Sequence, residues 1–220
     1  MALITVMDIN AQQLLLLLNW MSPTFPIGSF AYSHGLEWAI ANELVTTQDE
    51  VEQWIADLIT RGSGWNDAVL FAQIWQSDAQ EINELALALA SSSERYLETI
   101  QLGRSFAIAA LVFTSEKIPT GDLTYPVAAA VACKSAGLSQ EIALLAFLQG
   151  FSTALTSVAV RLVPLGQTAG LHVLKNLLPF ISKTAKRAAS ATLEDLGSCT
   201  LLADIAAMKH EHLQPRIFRT

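Results

Sequence analysis

At 220 residues, 52% of them hydrophobic and only 15% charged, the chain is long enough for one large or two small domains and can bury a substantial core. Its net charge of −7 is unevenly spread: residues 1–100 carry 13 acidic and 2 basic side chains, whereas residues 101–220 carry 7 and 11. The split points to two surfaces with different electrostatic partners or to differently solvated helix faces, and the lack of a basic cluster with interleaved aromatics excludes nucleic acid as a ligand.

Alanine and leucine dominate, and the few β-branched runs lack the alternation of a half-buried strand. The fold class is therefore all-α: a single-domain helical bundle of roughly eight to ten helices spanning residues 1–220, with 213–220 as an extended C-terminal tail. The first helix is expected from about Ile9 to Met21, stopping at Ser22-Pro23 because a residue before proline is pushed out of the α region. Its run Leu14–Leu18 has no basic flank or small-residue cleavage site and is not read as a secretory signal. A rigid stretch to Gly28 follows, then a short helix over Gly35 to Ala41.

Thr47 and Glu50 form a capping box ahead of the stripe Val51, Trp54, Ile55, Leu58 and Ile59. Asn66 or Asp67 opens the next helix, Asp78 another, and Ser91 with Glu94 a third. Pro119-Thr120-Gly121-Asp122 is the clearest central loop; helices over Pro126–Ala136 and Ser139–Val163 follow, with Gly137 between them. A helix from Gln167 is expected to end at Pro179, with a separate basic helix after it and a last one over Thr192–His212, whole or broken at Gly197. Trp54, Ile55, Leu58, Leu70, Phe71, Ile74, Ile108, Leu111, Leu144, Phe147, Phe151 and Leu155 are expected in the core.

The charge-free run Ile142–Val160 borders on a membrane span in length. Gln149, Ser152, Thr153 and Thr156 nevertheless recur at i, i+3, i+4 and i+7, so it reads as a buried helix whose polar stripe lies at a helix or subunit contact, or lines a wet passage. Cys133 and Cys199 lack CxxC spacing and read as small buried hydrophobes, in keeping with a cytoplasmic location. The sequence has no GxxxxGK[ST] loop, GxSxG elbow or HExxH pair, so no phosphate cradle, hydrolase nucleophile or zincin site is expected. His210-Glu211-His212 gathers nickel-compatible ligand types, but helical residues two apart face different ways.

Three stretches are more specific. In Ser22–Glu37, Pro26, Gly28 and Gly35 fix the backbone and Phe30 and Tyr32 offer ring surface; the segment either plugs the bundle or docks a protein. Arg161-Leu162-Val163-Pro164-Leu165-Gly166-Gln167 frees a backbone carbonyl that Arg161 or Gln167 can satisfy. Asp204-Ile205 is followed by His210-Glu211 and the tail Arg216-Ile217-Phe218-Arg219-Thr220. After Pro215 this tail is expected to leave the bundle, poorly ordered until a partner binds, the alternative being a tail folded back on its own helices.

Together the stretches resemble the UreF family of urease accessory proteins, whose pattern in outline is S-P-x-x-P-x-G-x-F-x-Y-S-x-G-L-E, then R-x-x-P-L-G-Q, then D-I-x-x-x-x-H-E with R-[LI]-F-R-[ST]. All three occur in that order across nearly the whole chain. The resemblance implies a dimerising, non-enzymatic scaffold that joins a UreD/UreH-type protein and the GTPase UreG to insert nickel into apo-urease. It implies no tightly bound cofactor: nickel is handled by the complex, and GTP is bound by the partner. Candidate partner-binding residues are Pro26, Gly28, Phe30, Tyr32, Gly35, Glu37, Arg161, Gln167, His210, Glu211, Arg216, Ile217, Phe218 and Arg219. His34, His212 and Leu213 fall where the family is expected to vary and carry no functional weight. The alternatives are a GTPase-activating or fidelity regulator of UreG, with Arg216 or Arg219 as an arginine finger, and a nickel carrier.

Overall fold

The computed structural model describes residues 9–114 and 121–220, so the expected loop at 119–122 is described only from Gly121. In chain order the helices are α1 (Ala11–Trp20), α2 (Leu36–Ala41), α3 (Gln48–Arg61), α4 (Ser63–Gln73), α5 (Ala79–Ala88), α6 (Ser93–Ala110), α7 (Tyr125–Ser135), α8 (Gln140–Leu162), α9 (Gly166–Ala189) and α10 (Leu201–His210). Short 3-10 turns lie at Ser29–Ala31 and Leu193–Asp195, and the described residues include no strand. The chain is an all-α bundle.

Local chemistry places most of the helix starts. Asn10 and Gln13 make a capping box for α1, Thr47 and Glu50 one for α3, and Asp78 accepts two amides at the start of α5. Thr47→Ala should therefore lower stability by about 1 kcal/mol in thermal melting, and a change within error would remove the box from the account. At α6 the cap is Ser92, which accepts the Arg95 amide, one residue later than the expected Ser91. α4 begins at Ser63, immediately after α3, rather than at Asn66 or Asp67.

The break expected at Pro179 is absent, and α9 runs through it for 24 residues. Val173, Leu177, Ile181, Thr184 and Ala188 bury one continuous face on both sides of the proline, mainly against α8 and α3. Pro179 and Lys175, whose carbonyl the proline leaves without its helical partner, are both exposed, so water can serve that carbonyl. Packing outweighs the local penalty.

The core centres on α8, packed on α9, α4 and α3. By length and composition α8 is apolar enough to cross a membrane, but Ala143, Leu144, Phe147, Leu148, Leu155, Val158 and Ala159 are buried inside the bundle, as expected of a core helix. A chain of ring contacts crosses this core from Trp20 and Phe25 through Phe106 and Tyr125 to Phe147 and Phe71, with centroids 4.9–6.2 Å apart. Of the residues expected in the core, Ile108 is 71% exposed, Leu111 42% exposed and Phe151 half-buried. α6 buries Phe106 and Ala110, and Ile108, two residues from each, faces the opposite way.

Ser152 and Thr156 of the polar stripe are buried, Thr156 at the contact with α9, where Gly170 comes so close that a Cβ would lie 2.6 Å from the Val160 side chain. Their hydroxyls, with that of Thr153, donate to carbonyls four residues back in α8 at 2.8 Å, not to the neighbouring helix.

Candidate functional site

Two glycines shape the chain before α2. Gly28 (φ 79°) turns it into the Ser29–Ala31 segment, and Gly35 (φ 76°) starts α2. A Cβ at Gly35 would sit 2.6 Å from the Ala207 amide nitrogen, so only glycine lets α2 meet α10 this closely. The close approach brings Glu37 of α2 and His210 of α10 together.

The tail does not leave the bundle. Glu37 is buried, and its carboxylate accepts the Ile217 amide at 2.6 Å and the Phe218 amide at 2.9 Å. His210, fully buried, lies with Nε2 2.8 Å from Glu37 and Nδ1 2.9 Å from Glu94, while Arg216 binds the other Glu94 oxygen at 2.5 Å. Beyond it, the Arg219 amide donates to the Ala31 carbonyl at 2.8 Å, and the Ser33 amide to the Thr220 carbonyl at 2.7 Å. The Ser33 hydroxyl donates to that same carbonyl.

The expectation of a tail without a core to join is thus corrected. Phe218 enters the hydrophobic core at 3% exposure and Thr220 is 1% exposed. Burial alternates along these residues, which leaves Ile217 76% exposed and Arg219 on the outside. The tail is a pinned ridge with one apolar side chain displayed.

Next to it lies a buried charge cluster. Glu98 is bonded to Arg95 (2.6 Å), His34 (2.9 Å) and the Thr220 hydroxyl (2.9 Å), and Arg95 also reaches Asp67 at 3.5 Å. Burial alone would raise the Glu98 carboxyl, but the charges and hydrogen bonds of Arg95 and His34 outweigh it and pull it to about 2. Burial lifts Asp67 above the usual carboxylate range despite Arg95. Burial also raises the Tyr32 phenol, whose hydroxyl donates to Gln101 at 2.8 Å.

His34, Asp67, Arg95 and Glu98 face a cavity of about 280 Å³ that Trp20, Phe30, Tyr32 and Arg161 also line. The loop of the first stretch and Arg161 of the second line this cavity, and the tail of the third reaches its wall through the Thr220 hydroxyl, bonded to Glu98. Gln167 lies apart, in a separate cleft that Arg161 also borders, and Pro26 and Phe30 are exposed. Glu211 is exposed and takes the Ser93 hydroxyl at 2.5 Å.

His34, set aside in the sequence, sits in the buried charge cluster, and Glu94, Arg95 and Glu98 were not singled out as site residues. Their signal was available: Glu94 and Glu98, four apart, place two carboxylates on one face of a helix whose later turns bury Leu102, Phe106 and Ala110.

Glu98 and Arg95 are bonded to each other and to their neighbours, and burial raises the Cys133 thiol. Among the described residues no three His, Cys, Asp or Glu side chains converge to hold a metal ion, and His210 is buried while Glu211 and His212 are exposed.

Fold and site together define an all-α protein whose buried charges fasten its own loop, helices and tail into one platform. A family model described as UreF matches residues 45–178. The urease accessory protein UreF 1 of Brucella canis is 45% identical over 215 residues, covering 94% of each chain. The urease accessory protein UreF of Cereibacter sphaeroides is 44% identical over 211 residues, covering 96% of this chain and all of its own. The chain belongs to the UreF family of urease accessory proteins.

Proposed function

We propose that this protein acts in urease maturation as a non-enzymatic adaptor that joins a UreD/UreH-type protein and the GTPase UreG on apo-urease for nickel insertion. The observation that carries this reading is the pinned tail. Glu37, His210, Glu94 and Glu98 spend their hydrogen bonds holding residues 216–220 in place, and the result displays Ile217, 76% exposed, on a rigid ridge. A rigid apolar group loses little entropy on docking, which suits an adaptor.

Nickel is cargo of the complex in this reading, and GTP belongs to the partner, since this chain has no phosphate-binding loop. The adaptor works in the cytoplasm as a homodimer. Arg216 is bonded to Glu94 and Arg219 to Gln101, which favours an adaptor over an arginine finger for the partner GTPase. The pure protein is expected to show no GTP turnover and no tight nickel retention in equilibrium dialysis; either activity would favour the alternatives.

Ile217→Asp tests the docking role directly. An exposed substitution shifts stability by about 0.5 kcal/mol or less, so the melting temperature should hold while capture of the UreD-type partner falls at least about tenfold. Full capture by the variant would remove the ridge from the docking surface.

A further inference from the structure

We infer that His210 is a proton-controlled latch for the tail, held shut by the imidazolium and opened when the ring loses one proton. The argument is one of donors and acceptors. The Glu37 oxygens already accept the Ile217 and Phe218 amides, and one Glu94 oxygen takes the Arg216 guanidinium. The ring stands between these carboxylates, Nε2 2.8 Å from Glu37 and Nδ1 2.9 Å from Glu94. Ionised carboxylates only accept, and a neutral imidazole carries a single N–H, so both contacts are attractive only when both nitrogens are protonated.

Charge gives the same answer. Glu37 faces the ring from α2, Glu94 from α6 and, bonded to Glu94, Arg216 from the tail. On its own element Lys209 is exposed, and Glu211, also exposed, is bonded to Ser93; Glu98, His34 and Arg95 turn to one another and to Thr220. An imidazolium and the three groups around it, Glu37, Glu94 and Arg216, balance in charge. With a neutral ring, two carboxylates share one guanidinium in a site where His210 has no exposure, and a ring lone pair points at a carboxylate oxygen.

Each carboxylate in question also holds the tail, so the strain falls on the Ile217 and Phe218 amides and on Arg216. Loss of the proton weakens both grips at once. The inference concerns the isolated chain and stands whether or not the partner reading holds.

Amide hydrogen exchange on the full-length protein tests it. Corrected for base catalysis, protection of the Ile217 and Phe218 amides should fall about tenfold or more between about pH 6 and about pH 9, while amides of α8 keep theirs. His210→Gln, which cannot be charged, should show the open level at both pH values. Nitrogen shifts of the His210 ring in the unmodified protein should report two protonated nitrogens wherever the tail amides are protected. Protection that does not change with pH, α8 amides that open in step with the tail, or a neutral ring beneath a protected tail would each overturn the latch.

Discussion

Glu98→Ala is expected to destabilise the isolated protein by about 3–5 kcal/mol in denaturant unfolding, because it strips the counter-charge from a buried arginine. Arg95 is nearly out of contact with solvent, and Glu98 is its closest acid at 2.6 Å; Asp67, at 3.5 Å, is a weak substitute. The same carboxylate holds His34 and the Thr220 hydroxyl, so the variant loses three partners at once. The pH dependence follows from the direction of the shift. A carboxyl brought down to about 2 in the folded protein stabilises it fully above the ordinary glutamate value, and that contribution drains away as pH falls through about 2. Glu98→Ala should therefore flatten the acid side of the stability curve as well as lower it. A loss below about 1 kcal/mol would mean that water already serves this cluster.

Gly35→Ala should cost nearly as much, by a different route. Left-handed backbone disfavours a side chain by about 1–2 kcal/mol, and moving the α10 backbone away from the new methyl costs about 1–3 kcal/mol more. The displaced atoms would be the Ala207 nitrogen and the Ala206 carbonyl carbon, at 2.6 and 2.9 Å, so the harm spreads along α10 to His210 and the tail. Gly28→Ala is the control, since it shares the positive φ but its Cβ would meet nothing within 4 Å. Equal losses in the two variants would mean that the α2–α10 contact adds nothing.

Periodicity and capping made most of the bundle legible in advance. Thr47 with Glu50, Asp78 and Gly137 mark their helix ends by local chemistry, which needs no tertiary information. Pro179 misled for the opposite reason: the local rule is sound, but the buried face of α9 lies beyond any local window. Ile108 lies on the outer face of α6 and Leu111 just past its end, and hydrophobicity alone cannot say which face a neighbour covers. The tail was misread because its partners are remote in sequence: Glu37 lies 180 residues before Ile217 and Ser33 187 before Thr220. His34 could not be read at all, since its partners Glu98 and Arg95 lie on α6, more than 60 residues away in the chain.

The central claim is that this chain serves nickel delivery to urease, and the nickel content of urease itself tests it most directly. Urease subunits produced with the remaining accessory set from the same source, with and without this chain, would be purified and assayed for bound metal. The account predicts urease almost empty of nickel when the chain is missing, filled when it is restored, and largely empty when Ile217→Asp replaces it. Urease that fills equally well without the chain would contradict the account.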